Sequence, residues 1–505
     1  MAIFINWKNA VLRNRRYLPI IFILLLASFL RLYRINDYMT FLGDEGRDAI
    51  VWLKMVRDHK FTLIGPTTSI GNMYLGPLYY YLMLPFYFVF GSSPVGPSIG
   101  VALFSTATVF FIWYVGKIWF NEKTGLIAAF FYTISPVVLY HSRSSWNPNI
   151  MPFFALLCIY GVWKFWQQHQ YFWLLIVGIG FSFVVQSHYL GLLLFPTICL
   201  FWILTLYSLI KTKKSTKKFF LFSLFATLIF SLLTILPLVW FDLRHGFLNY
   251  HAFQKFFGDR QTTVNFKIYK ALPNFWPLWE KIVNDVLAGQ NFLLGRFLAI
   301  GFVIAAIIKR NVVFKNNNFL LTITWLFFGL LGLGLYKQHI YDHYFGFLFP
   351  VIFLFLGYFL TLLFNWGLVG RWLGGFIFLI LLIVNLQLNY LRTAPNYQYQ
   401  RTQEIDQMIL KEAKNKPFNF ALLAQRNYDA GYTYFFQYWK SNIVFVDPQK
   451  ADETITDQLF VVCEDKICEP LANPKAEIAM FGWAKIENEW QFPWGVRVFK
   501  LIHQK

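Results

Sequence analysis

Charge is scarce in this sequence. Only 14% of the residues are Asp, Glu, Lys or Arg, where globular domains carry about a quarter, and that shortfall excludes an ordinary globular composition. Acids are the scarcer sign, 25 against 45 bases. Other absences narrow the reading further. No glycine-rich loop of the phosphate-cradling kind occurs. There is no internal repeat and no low-complexity tract. The paired, broken helices in matching halves that mark many transporters are missing too. The basic N-terminal stretch with Lys8, Arg13, Arg15 and Arg16 resembles a signal peptide, yet no small-x-small cleavage site follows, and Arg31 and Arg34 close the apolar run. An uncleaved first helix is expected.

What is abundant is apolar: 57% hydrophobic and 21% aromatic residues. Runs long enough to cross a bilayer, about 20 residues each, fall near 17–33, 97–117, 124–141, 148–166, 171–187, 189–209, 219–240, 292–309, 319–336, 344–364 and 372–391. About eleven transmembrane helices are therefore expected. The net charge of +20 invites a nucleic-acid reading, which its placement opposes. From 392 onward acids and bases nearly cancel. The excess lies in short loops: Lys117 to Lys123, Lys164, Lys211-Thr-Lys-Lys-Ser-Thr-Lys-Lys218, Lys309-Arg310 with Lys315, and Arg371. The alternate loops are nearly free of bases, as positive-inside sorting requires. The charge reports topology, with no nucleic-acid partner implied.

An odd number of spans places the N-terminus in the cytoplasm and the C-terminus outside, in a multi-pass protein of the cell membrane. Three longer segments then face outward: 34–96, 241–291 and 392–505. The first reads as juxtamembrane amphipathic helices rich in aromatics and broken by Pro77 and Pro85. The last alternates patterns, with helices at 403–414 and 429–440 and strands at 418–424, 443–446, 459–463 and 496–502. The expected organisation is a transmembrane domain over 1–391 and a small extracytoplasmic α/β domain over 392–505. Cys158 and Cys199 fall within apolar spans as core residues. Cys463 and Cys468 are close enough to close a small loop, which an external compartment permits; spacing alone leaves the disulfide open.

Asp44 and Glu45 open a segment that must lie against the membrane, where ionised groups are costly unless they work or are paired. Helix initiation would explain them, with Asp44 as the cap and Arg47 and Asp48 in the first turn. Local sequence leaves that reading and a chemical one both open.

Four stretches, taken in order, carry a resemblance: Phe41-Leu-Gly-Asp-Glu-Gly-Arg-Asp-Ala49, Gly76-Pro-Leu-Tyr-Tyr-Tyr81, Ser135-Pro136 ahead of His141-Ser-Arg143, and Gln186-Ser-His-Tyr189. Together they resemble the family 39-type glycosyltransferases of the GT-C fold, which include protein O-mannosyltransferases and the bacterial aminoarabinose transferase. The resemblance covers most of residues 15–360. It implies a polytopic α-helical GT-C-like protein that takes a sugar from a polyprenyl-phosphate donor and passes it, with inversion, to a lipid, glycan or protein acceptor at the outer face. It also implies Asp44 as the general base that removes the acceptor hydroxyl proton. Glu45 would orient the acceptor or tune Asp44, since two close carboxylates push one pKa upward.

Other polar residues lie in the external connections. His141 and Arg143 are placed near the donor phosphate, although their loop also reads as an interfacial turn anchored by Trp146. Several relatives carry an Asp where this chain has Asn149, so no metal is expected there, and no cofactor. Lys337, His339 and His343 would contact the phosphate or lipid headgroups; the four-residue spacing of the two histidines is also a zinc-ligand spacing. Tyr80, Asn149, Gln186 and His188 are sugar or acceptor contacts on this reading, with a buried, satisfied histidine as the alternative for His188. Arg244, His245, Arg260 and Lys267 sit in a loop long enough to bind or gate. A transporter or flippase for lipid-linked sugars or polysaccharide is the alternative function. It is disfavoured because the acids lie in an external loop and an outer domain follows the last span.

Overall fold

The computed structural model describes residues 17–68, 73–259, 263–313, 315–465 and 467–504. Lys8, Arg13, Arg15, Arg16 and Arg260 lie outside them. The chain divides into two compact units. The first comprises 1–33, 62–85 and 98–394, and the second 34–61, 86–97 and 395–505.

The first unit is helical. Seven of the eleven expected runs form single helices long and apolar enough to cross a membrane: Val95–Trp119, Asn147–Gln167, Tyr189–Lys211, Lys217–Arg244, Asn317–Leu335, Asp342–Phe364 and Gly367–Gln387. The other four runs are also helical but short or interrupted. Leu18–Leu32 and Trp173–Ser187 have 15 residues each, a rise of roughly 22 Å against a hydrocarbon thickness of about 30 Å. The 124–141 run breaks at Ser135, ahead of Pro136, into Glu122–Ile134 and Pro136–His141, because proline disfavours helical backbone at the residue before it. Phe292–Ile308 joins Ile268–Leu287 through a bend of 115°. Phe349–Phe364 is buried along nearly its whole length. Gly357 meets the Thr124 carbonyl so closely that a Cβ there would collide with it, the small-residue contact that brings membrane helices together.

The second unit is an α/β domain with a four-stranded sheet: β1 Asn419–Leu423, β2 Gln458–Cys463, β3 Ala484–Gln491 and β4 Arg497–His503, in the order β1-β2-β4-β3. β1 pairs with β2 in parallel, Asn419 opposite Leu459, and the other pairings are antiparallel. Helices Gln398–Ala413 and Ala430–Tyr438 cover one face through Ile405, Ile409 and Phe436, which cluster with Phe460 of β2. Ile478 and Phe481 cover the other. The 443–446 stretch forms only an isolated bridge from Ile443 to Phe418. β3 is an exposed edge strand of mostly polar residues, so neither alternation nor apolar content marked it. Cys463 and Cys468 are disulfide-bonded.

The compact units differ from the division at 391/392 expected from sequence. Segments 34–61 and 86–97 pack with the C-terminal residues. The Phe41 ring stands edge-on to Tyr399, Tyr434 and Phe435, and the Tyr434 hydroxyl donates to the Ser92 carbonyl (2.9 Å). Helix Gly43–Arg57 lies along Ala430–Tyr438. There Gly46 faces the Ala430–Gly431 backbone with no room for a methyl group.

Candidate functional site

The acidic motif lies in the second unit, and its two carboxylates have different surroundings. Leu42 is extended and the helix starts at Gly43, whose N–H donates to Asn427 Oδ1 (2.9 Å). Glu45, not Asp44, caps the helix. Its carboxylate accepts from the Leu42 N–H (3.1 Å), a backbone donor that a helix start leaves open, and from the Thr40 hydroxyl. Burial pushes the Glu45 carboxyl above the ordinary glutamate value; the Thr40 hydrogen bond opposes that rise and the Asp44 charge adds to it.

Asp44 is 40% exposed. Its Oδ1 accepts from Arg47 Nη1 (2.6 Å) and from the Tyr428 hydroxyl (2.8 Å). Among the described residues nothing donates to its Oδ2. Arg47 also reaches the fully buried Asp48 through Nε and Nη2 (2.9 and 2.8 Å). A carboxylate with one oxygen held and the other open is suited to accepting a proton.

In the first unit the five residues expected at the donor phosphate fall into three sets. Arg143 is 3% exposed. It donates to the carbonyls of Leu30 (2.8 Å) and Tyr33 (3.0 Å) and stacks 3.8 Å from the Tyr390 ring centroid. It thus closes the C-terminus of Leu18–Leu32, a structural task. His141 and His343 flank Asp342, with Nε2 at 3.2 Å and Nδ1 at 3.6 Å. The adjoining cavity of about 10 Å³ is too small for a sugar. Lys337 and His339 line a separate cavity of about 530 Å³ with Asn265, Asn274, Lys281 and Tyr336. His339 precedes the helical turn that begins at Asp342, so the two histidines do not share a helix face.

The residues expected at the sugar or acceptor are mostly engaged elsewhere. Gln186 accepts from the Leu78 N–H (3.0 Å) and donates to the Leu233 carbonyl (2.9 Å) and Thr234 (3.0 Å), joining three helices. His188 is buried, accepts from the Leu190 N–H (3.2 Å), stacks on Tyr189 and lies tilted against Tyr344. Asn149 is buried and donates to the Ser144 carbonyl (2.8 Å). Tyr80 is buried beside Tyr79.

A third cavity, of about 410 Å³, is almost wholly apolar, with Leu272, Trp276, Trp279, Phe302, Phe355 and Phe359 in its wall. Helix Leu272–Leu287 supplies residues to both: Trp276 and Trp279 to this one, Asn274 and Lys281 to the polar one.

Residues 75–240, about a third of the chain, match the family model for dolichyl-phosphate-mannose-protein mannosyltransferase. No curated protein matches the chain in sequence. Among solved structures, ArnT from Cupriavidus metallidurans bound to undecaprenyl phosphate is similar at TM-score 0.61 and 11% identity, over 95% of this chain and 97% of that one. Its apo state gives 0.62 and 10%, over the same shares. The fold is GT-C. Archaeal oligosaccharyltransferase AglB from Archaeoglobus fulgidus, in complex with an inhibitory peptide and a dolichol-phosphate, is similar at TM-score 0.53 and 12% identity, over 90% of this chain and 70% of that one. At such identities the likeness is one of fold.

Arg47, Asn427 and Tyr428 were not singled out for roles by sequence reasoning. Arg47 stands three residues after Asp44, a helical pairing distance that could have been read. Tyr428 is 384 residues from Asp44, and no local pattern links them.

Proposed function

We propose that this protein is a membrane glycosyltransferase that moves a sugar from a polyprenyl-phosphate donor to a hydroxyl acceptor, with Asp44 as general base. The observation that carries this reading is the Asp44 carboxylate on a GT-C fold: Oδ1 held by Arg47 and Tyr428, Oδ2 open. In the reaction, Oδ2 takes the proton of the acceptor hydroxyl as that oxygen bonds to the anomeric carbon. The bond from that carbon to the phosphate oxygen breaks, the configuration inverts, and polyprenyl phosphate departs.

Two further features support a lipid-linked donor. Lys337 and Lys281, the latter paired with Asp285 (2.6 Å), bring ammonium groups to the polar cavity, and His339 adds a ring N–H, a lining suited to a phosphate. The apolar cavity suits a prenyl chain. The lysine-rich loops support the orientation read from sequence, with the second unit extracytoplasmic. The likeness to a mannosyltransferase family, to ArnT and to AglB supports a lipid-linked substrate and leaves the acceptor class as lipid, glycan or protein.

The test is incubation of the purified protein with a panel of prenyl-phosphate sugars, with released prenyl phosphate identified by mass spectrometry. Asp44→Asn is expected to lower release by about 10²–10⁴-fold while the protein still folds. Full turnover by that variant removes Asp44 from the mechanism.

A further inference from the structure

We infer that Tyr428 is the positioning residue for Asp44, so that the C-terminal α/β unit supplies part of the machinery of sugar transfer. The inference rests on the reading of Asp44 as the base.

The phenol donates to the same oxygen, Oδ1, that Arg47 holds. Arg47 Nη1 also reaches the phenol oxygen (3.4 Å), so guanidinium, phenol and carboxylate close a triangle. Two donors on one oxygen fix the carboxylate plane and leave Oδ2 as the basic atom presented to an acceptor. Burial first, with the neighbouring Asp44 carboxylate, holds the Tyr428 phenol well above its ordinary value against the lowering by Arg47. The phenol therefore stays a donor throughout the working range of pH.

Tyr428 is itself held from behind. Asn427 Oδ1 accepts from both the Gly43 and the Tyr428 N–H groups (2.9 Å each). Asn427 Nδ2 donates to both oxygens of Glu464 (3.0 and 3.1 Å), and the Tyr432 hydroxyl donates to Glu464 Oε1 (2.8 Å). Glu464 directly follows Cys463, the last residue of β2 and one end of the disulfide. The sheet thus orients the start of the Asp44 helix through Asn427, and the Asp44 carboxylate through Tyr428. The aromatic ring has a second task, since it fills the space beside Gly43 that a Cβ would need.

Tyr428→Phe separates the two tasks by keeping the ring and removing the hydroxyl. With the donor turned over by the wild type, this variant is expected to lose about tenfold in kcat, as one charge-assisted hydrogen bond can account for. The donor KM stays within about twofold and the melting temperature stays near that of the wild type. On an Asp44→Asn background, Tyr428→Phe is expected to change the residual rate no further, because its effect passes through the carboxylate. Unchanged kcat in Tyr428→Phe, or the same tenfold loss on the Asp44→Asn background, overturns the positioning role and leaves the base assignment standing. Full turnover by Asp44→Asn, or no donor turned over by the wild type, overturns the base assignment and this inference with it.

Discussion

Gly46→Ala tests the seat of the acidic helix. In the interior of an exposed helix this change gains about 1 kcal/mol in helix propensity. Here the new methyl would meet the backbone N of Gly431 and the backbone C and O of Ala430, well inside contact distance. No flexible side chain can move aside, so Gly43–Arg57 must lift away from Ala430–Tyr438. Overpacking of this kind costs up to about 3 kcal/mol, which leaves a net loss of about 2 kcal/mol. The lift also stretches the Gly43–Asn427 and Asp44–Tyr428 hydrogen bonds, so prenyl-phosphate release should fall together with stability. The assay is thermal unfolding in detergent beside the release assay. Gly375→Ala serves as control, since nothing lies within 4 Å of a Cβ built there. A Gly46→Ala protein as stable as the wild type would refute the close-packed seat.

Arg143→Ala is expected to cost about 3 kcal/mol, through two uncapped carbonyls and a lost ring contact, with donor affinity of the folded protein unchanged. Weakened donor affinity at unchanged melting temperature would restore its phosphate role. Asp406 is fully buried, neither of its oxygens meets a partner among the described residues, and burial pushes its carboxyl well above the ordinary aspartate value. Its unfolded form titrates near about pH 4. The contribution of this group to stability is therefore greatest below that pH and falls as pH rises toward the folded value. Asp406→Asn should raise the melting temperature at pH 7 and lose that advantage as pH is lowered toward about 4; a pH-independent difference would contradict this. Glu453→Cys, with the native thiols controlled, should react with a membrane-impermeant thiol reagent in intact cells. Protection until lysis would invert the topology.

The helical half was legible because each span is a local run, and every expected run is helical. Run length alone could not show that Ser135-Pro136 breaks one run or that a 115° bend joins another to its neighbour. The sheet was readable where strands are buried on both faces, as in β2, and hidden where β3 is an exposed polar edge. The acidic pair stood out because charge is rare at such a position, but its division of labour was not readable. Which carboxylate caps and which stays open depends on Thr40, Asn427 and Tyr428, and two of those three arrive from the far end of the chain. Arg143 stood out as a cation at a loop, and nothing local in the sequence shows that the Leu30 and Tyr33 carbonyls surround it.

The second unit is assembled from pieces made far apart in time. Its first two segments leave the ribosome about 300 residues before the third begins, a wait of roughly 15–60 s at about 5–20 residues per second. Throughout that interval the Asp44 helix lacks Ala430–Tyr438, the helix it lies along. A nascent chain halted before residue 395 would hold its full complement of spans and still lack the arrangement around Asp44.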